Sequence, residues 1–353
     1  MKRDFDIVVV GAGINGQIMS LAAANAGFSV ALIDQNSFIE STLREFDGRA
    51  YAIAFSSVQM MKNLNLWKKI EDTAQPILNI KVSHGTIEKG PASATLQFNN
   101  ADIEESPMAQ MLEDRFLRQC LIREIKENTF IDLIEQRTVS EIIDLGSKKH
   151  LILDNNSKLQ ASLLVASDGT DSPTAKASGI RKTGWKYKQR GLVCAVNHEY
   201  SSDNTAYQYF LPEGPLAILP IKNKTASIVW TESIQNATTI TGMNDEEYLN
   251  ILQNRFGNFL GKLKLTGKRL SFPLQLSISE KYVSDKFAVI GDAAHGYHPI
   301  AGQGLNAGMR DIAALVDVIS RSRQRGEDFS SINVLNRYQE WRRFDNQTLG
   351  FAT

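Results

Sequence analysis

Ile7-Val8-Val9-Val10-Gly11-Ala12-Gly13-Ile14-Asn15-Gly16 is the stretch that decides the fold. Four β-branched residues in a row suit a strand buried on both faces. Glycines at 11, 13 and 16 follow at once, and an alanine-rich helical stretch from Gln17 to Ala26 ends at Gly27, a C-cap residue. Phe28 to Ile33 reads as a second strand, and Asp34 closes it. Gly11 permits a tight turn, Gly13 lets the backbone approach a pyrophosphate, and Gly16 allows the helix to pack closely on the strand. Free N–H groups and the dipole at the helix start favour phosphate. Asp34 lies about 20 residues beyond the first glycine, where a carboxylate accepts a ribose hydroxyl and disfavours a 2′-phosphate. A glycine triplet alone is weak. Strand, turn, helix, strand and acid in register make a dinucleotide-binding unit.

The whole chain fits that start. At 353 residues it is long enough for about two domains. Lys plus Arg and Asp plus Glu both number 39, so the net charge is zero and a general nucleic-acid binder is excluded. A hydrophobic share of 42% with 22% charged residues excludes disorder as the main state. Cys120 and Cys194 lie far apart, which excludes a disulfide framework and suits a reducing compartment. The N-terminal segment lacks the apolar core of a secretory signal, and no run is long enough to span a bilayer. No HExxH, paired CxxC, GxSxG or P-loop occurs, so no metal site is expected.

Two later segments repeat the delivery of polar residues by a buried strand. Leu163-Leu164-Val165-Ala166 runs into Ser167-Asp168-Gly169-Thr170, which alone is common turn chemistry. Phe287-Ala288-Val289-Ile290 leads into Gly291-Asp292-Ala293-Ala294-His295, then Pro299 and Gly302-Gln303-Gly304-Leu305-Asn306, with a helix expected over Met309 to Ile319.

With these residues the chain resembles the flavin-dependent aromatic-ring hydroxylases. Asp47-Gly48-Arg49-Ala50, Ser56 and Leu64-Asn65-Leu66-Trp67 bring it nearest to the ubiquinone-biosynthesis branch. The resemblance runs from residue 5 to about 346. It implies an α/β (α+β) fold: a Rossmann-like FAD-binding domain interrupted by an antiparallel-sheet substrate domain, with C-terminal helices. It implies noncovalent FAD, with Gly11, Gly13 and Gly16 around the pyrophosphate, Asp34 on the adenosine ribose, and Asp292 on the ribityl or pyrophosphate region. Arg49 would approach the flavin, and Pro299, Gly302, Gln303, Gly304, Leu305 and Asn306 would border its ring. Asp168 sits in a turn that the family shares between FAD and a transiently bound reductant. Two positions depart from the pattern. Ala175 stands where the family often has arginine, with Lys176 beside it. Asp114 stands where relatives carry Asn, Gln or Arg; a carboxylate near a reduced flavin must be paired or turned away.

Strand-like runs at 77–87, 94–98, 191–199, 206–211, 215–221 and 225–231 predict an antiparallel second layer. A helix is expected over 244–260, with Leu249, Leu252, Phe256 and Phe259 as a core stripe. The expected division gives residues 1–76, 108–182 and 272–320 to the FAD-binding domain and 77–107 and 183–271 to the substrate domain. Residues 321–353, with a helix over Ser331 to Leu349, form a C-terminal helical segment expected to be truncated, since related hydroxylases continue further. His84 and His150 read as structural. His198 precedes a turn, where a structural role outweighs a ligand-facing one; His295 reads as a packing and hydrogen-bonding residue, and His298, beside Pro299, is the acid–base candidate.

The function these readings imply is that of an FAD monooxygenase. It would take electrons from NAD(P)H, form a flavin C4a-hydroperoxide with O₂, and hydroxylate an aromatic ring. The branch points to a polyprenylated phenol precursor of ubiquinone. Its apolar tail implies a cytoplasmic protein peripheral to the inner membrane face, within a biosynthetic multiprotein complex. Two other classes stay open: a flavin oxidoreductase without oxygenation, such as a prenyl reductase or oxidase, and a flavin-binding scaffold. The Trp-x-Trp-x-Ile-Pro segment of flavin halogenases has no match at Gly184-Trp185-Lys186-Tyr187.

Overall fold

The computed structural model describes residues 3–38, 45–86, 90–92, 94–102, 107–298 and 302–352. Its first layer is an eight-stranded sheet built around Arg3–Val10. That strand lies parallel to Val30–Ile33 on one side and to Lys158–Ala166 on the other. Ile131–Ile134 and Phe287–Val289 extend the parallel set outward. Ile7, Val8, Val9, Leu163, Leu164 and Val165 are all fully buried, which is why the run that opens the chain needs no polar alternation. Lys149–Leu153 and Val139–Asp144 add an antiparallel edge.

The helix Ile14–Asn25 is buried at nearly every position from Ile14 to Ala24. A helix covered all round needs small side chains, and its Gly, Ala and Ser residues supply them. It packs against Asp114–Glu127 and Gln303–Gln324. The 303–324 helix begins immediately after the glycine-rich segment and extends past both ends of the stretch expected over Met309 to Ile319. Among the described residues no helix is long and apolar enough to cross a membrane.

The second layer is a nine-stranded sheet. Across it, the order is His295–Gly296, Leu263–Ser279, Lys182–His198, Thr225–Ser233, Gly214–Ile221, Thr205–Leu211, Asn79–Thr86 and Gly90–Pro91, with Leu96–Asn99 also on Asn79–Thr86. The expectation of a purely antiparallel sheet needs one correction: Asn79–Thr86 pairs parallel with Thr205–Leu211. Parallel neighbours need a long crossover, and here the chain passes through the first layer in between. Leu263–Ser279 was not read from the sequence, because Gly267 and Pro273 interrupt its pattern. Residues 272–279 lie within this strand.

One face of the second sheet carries Leu192, Cys194, Val196, Leu216, Ile218, Ile228 and Trp230 beneath the helices Ile234–Gly242 and Asp245–Phe256. Asn244 and Glu247 form a capping box that starts the latter helix. The opposite face meets the first layer through a small three-stranded sheet, Ala50–Ala54, Ala109–Glu113 and Gln75–Ile77. Ile80, Ala206 and Leu219 pack there on Ala50, Ala52, Ile77, Ala109 and Met111.

Candidate active site

A cavity of about 560 Å³ opens at the carboxyl ends of the parallel strands, a size within the ~300–1,000 Å³ range of ligand sites. Gly11, Gly13, Asp34, Asp168, Gly169, Asp292, Gly304 and Leu305 line it, so the fold brings the three motifs together. The three glycines sit in three different environments. Gly11 has φ +98°, and its N–H donates to the Ile33 carbonyl at 2.8 Å, closing the turn. A Cβ on Gly16 would sit 1.8 Å from the Gly11 carbonyl oxygen, so only glycine lets the helix approach. Gly13 differs from both: a Cβ there meets nothing within 4 Å, because its outer side is the cavity.

The carboxylates around the cavity have partners. Asp34 accepts from the Ala12 N–H at 2.7 Å and from the Asn36 N–H at 2.8 Å, which leaves lone pairs for a further donor. Asp168 accepts from the Ser172 hydroxyl and from the Thr174 N–H at 3.1 Å, bracing the turn before Pro173–Ala177. Asp292 opens into the cavity but is otherwise surrounded by protein; that crowding raises its pKa, against the charges of His295 and Lys182. Lys182 donates to the Thr170 and Asp292 carbonyls at 2.7 and 2.9 Å, and burial pushes its pKa down to about 8.

The residue out of pattern, Asp114, is paired as a carboxylate there must be. It is 4% exposed, receives both Arg118 contacts at 2.8 Å and the Tyr51 hydroxyl at 2.7 Å, and lies 3.2 Å from Arg49. Arg49, expected to approach the flavin, is held instead by Asp47 and Asp114 and is not on the cavity wall. Tyr51 and Arg118 are on the wall, and the sequence reading missed both. Arg118 was findable as the i+4 partner of Asp114 on one helix.

At the far end, Gly302 is the left-handed N-cap of the 303–324 helix, with φ +61° and no side-chain cap. The first N–H groups of that helix are therefore uncapped beside Gly304 and Leu305. Asn306 departs from its expected place at the ring. It is 1% exposed and turned to the three-stranded sheet, where it accepts from Ala54 N–H and Ser57 hydroxyl and donates to the Ala52 carbonyl. Gln303 and Gly302 are likewise off the wall, and Pro299 lies outside the described residues. His298 is buried, with Nδ1 unpartnered and its ring edge-on to Tyr187 at 5.2 Å. Burial lowers its pKa, which favours the neutral imidazole. His198 donates from Nδ1 to the Tyr200 carbonyl at 2.6 Å, remote from the cavity.

Behind Asp292 stands a buried polar knot. One oxygen of Asp311 meets the Gly291 N–H at 3.0 Å and His295 Nε2 at 2.6 Å; the other meets Arg342 Nε at 2.8 Å and the Asn346 amide at 3.2 Å. On the outer side of the Asp168 turn a second cavity of about 600 Å³ is lined by Lys176, Arg181, Lys182, Lys186 and Trp185. Ala175 itself is buried and leaves no room for an arginine.

Residues 4–343 match the FAD binding domain family. The chain belongs to that family. Ubiquinone hydroxylase UbiL of Rhodospirillum rubrum is 33% identical over 97% of this chain and 78% of its own length. The 3-demethoxyubiquinol 3-hydroxylase of Escherichia coli is 29% identical over 97% of this chain and 86% of its own. In fold the chain is similar to p-nitrophenol 4-monooxygenase PnpA of Pseudomonas putida, with a TM-score of 0.79 and 17% identity, covering 100% of this chain and 89% of that one. This family member is a flavin monooxygenase of the hydroxylase type, with FAD as its cofactor.

Two outcomes follow from this geometry. Gly13→Ala folds like the wild type but loses most FAD affinity, whereas Gly16→Ala is destabilised even without FAD. Urea midpoints and flavin retention separate the two, and an unstable Gly13→Ala protein would contradict the open cradle. Lys182 sets a pH dependence. Its folded pKa, about 8, lies below the ordinary 10.5, so the unfolded chain binds more protons between those values. Stability from this group therefore rises as pH increases through that window, and urea midpoints of Lys182→Met show a smaller rise.

Proposed function

We propose that this monooxygenase hydroxylates the aromatic ring of a polyprenylated phenol, a ubiquinone precursor, with NAD(P)H and O₂ as co-substrates. One structural observation carries the reading beside the named relatives. Cross-strand partners share a face of a sheet. Leu96, Val82, Gln208, Ala217, Val229, Val193 and Leu270 are successive partners across seven strands. All but Gln208 are apolar, and none is fully buried. The row belongs to the face turned to the first layer, since Ile80, Ala206 and Leu219 on that face pack on the three-stranded sheet. It ends in open solvent at Leu96, 60% exposed, with Phe98 and Phe210 beside it on the same face. An uncovered apolar track of this kind suits a long isoprenoid better than a small polar acid, and its open end suits uptake of the tail from a membrane surface.

The residues present fit FAD: an open glycine cradle, an uncapped helix start and a carboxylate reaching the cavity between them. Gly13 would hold the pyrophosphate against the 14–25 helix, helped by the Gly11 turn and the Gly16 contact, and Asp34 the ribose. Asp168 and Asp292 would border the ribityl chain, and Gly304 and Leu305 the ring. Bound there, FAD carries electrons from the reductant to O₂ and delivers one oxygen atom. The helix start gives about half a positive charge to the ring edge where reduction places negative charge. Arg49, Asp114 and Arg118 form a closed charge cluster that leaves no free carboxylate at Tyr51. His298, neutral, is the group to accept the ring hydroxyl's proton at Nδ1. The cationic second cavity, with Trp185 at its wall, suits the anionic reductant.

Purified enzyme supplied with FAD, NADH, O₂ and a prenylated phenol should consume reductant and form a product heavier by one oxygen atom. Reductant consumption with no oxygen in the product would indicate an oxidoreductase instead. Replacing Leu96 and Phe210 together by serine should raise KM roughly tenfold for a long-tailed phenol. For the same phenol without its tail KM should stay unchanged, and an equal effect on both would dismiss the track.

A further inference from the structure

Gln208 breaks the apolar row at its third position, and its amide nitrogen is buried without a hydrogen-bond partner. Its neighbours Tyr207 and Tyr209 point to the other face, so Gln208 alone on its strand puts an amide among Val82, Ala217 and Val229. Leaving such a donor unpaired is destabilising, and an apolar residue of similar length would remove the cost. Nothing in the packing requires the amide. Gln208 lies on the sheet face turned away from the helices, whose core takes in the alternate residues Tyr209 and Leu211.

We propose that Gln208 is a specificity-determining residue whose amide donates a hydrogen bond to an oxygen on the substrate's aromatic head. The inference rests on the reading of this sheet face as the substrate site. An apolar track fixes which way a greasy molecule lies but not how its ring is turned. One donor at a set point along the track fixes the rotation, because any other orientation leaves both the amide and the substrate oxygen unpaired in a dry site. The donor thereby determines which ring carbon is presented to the flavin side. A site built around such a bond rejects a ligand lacking the oxygen far more strongly than a site built on shape alone.

The test uses the FAD-loaded enzyme and two probes, an ortho-prenylated phenol and the matching prenylbenzene, with binding read from perturbation of the flavin absorbance. Wild-type enzyme should prefer the phenol by about tenfold or more, the value of one buried hydrogen bond. Gln208→Leu should bind both probes alike, retain FAD, and melt no lower than the wild type without ligand, since it removes an unpaired donor. Gln208→Glu, which offers an acceptor in the same shape, should also lose the preference. In turnover, Gln208→Leu should spread hydroxylation over more than one ring position. A Gln208→Leu enzyme that keeps the wild-type preference for the phenol and its single product overturns the assignment. So does one that melts well below the wild type, because the amide would then be structural. If wild-type enzyme binds neither probe, the reading of the sheet face as a prenylphenol site fails first.

Discussion

The carboxylate of Asp311 holds the two halves of the flavin architecture in one frame. It is wholly buried, as are His295 and Asn346, and Arg342 is 3% exposed. Burial would raise its pKa, but the facing His295 and Arg342 more than reverse this and hold it below the ordinary range. Removing either partner of such a pair leaves a charge in a medium that cannot solvate it, a loss on the order of 3–5 kcal/mol. The geometry shows what that charge does. One oxygen grips both ends of the turn around Asp292, and the other grips the last helix. The turn that reaches into the cavity and the helix that closes the back of the molecule are thus positioned by the same group.

Packing alone could not do this. Gly291 is in the left-handed region, with φ +57°, and a Cβ there would strike the Asn15 amide at 2.4 Å. Asn15 lies at the start of the first helix and on the cavity wall, so the glycine turn and the aspartate turn interlock backbone to side chain. Asn306 makes the matching tie on the other flank, joining the long helix to the three-stranded sheet. Two polar ties and one close backbone contact therefore register elements whose apolar faces could otherwise slide past one another.

How much of this was legible in the sequence follows from the physics of each part. The glycine positions were readable because backbone approach admits one residue type, and the structure gives Gly11, Gly13 and Gly16 three distinct environments. The pairing of Asp114 was readable from charge alone, because an unpaired carboxylate beside the cavity is untenable. The roles of Asn306 and Arg49 were not, since a motif fixes where a residue stands but not which way its side chain turns. The strand 263–279 was hidden by Gly267 and Pro273, which interrupt the local pattern; Pro273 faces the bulge at Lys186–Arg190, where a missing N–H does little harm. The apolar row across the second sheet has no linear signature at all. Its seven members come from seven strands and become neighbours only through register.

The one parallel pairing in the second sheet has a consequence for synthesis. Asn79–Thr86 cannot find its partner until residues 205–211 have left the ribosome, and Lys158–Ala166 must first slot in beside Arg3–Val10. The first layer in turn lacks Phe287–Val289 until the chain is nearly complete. Contacts this distant in sequence make closure slow, and they leave the edge carrying Leu96 and Phe98 uncovered while it happens. Neither layer can be cut out as a continuous piece of chain. The nascent protein is therefore exposed to aggregation through the same apolar edge that stays open in the finished fold.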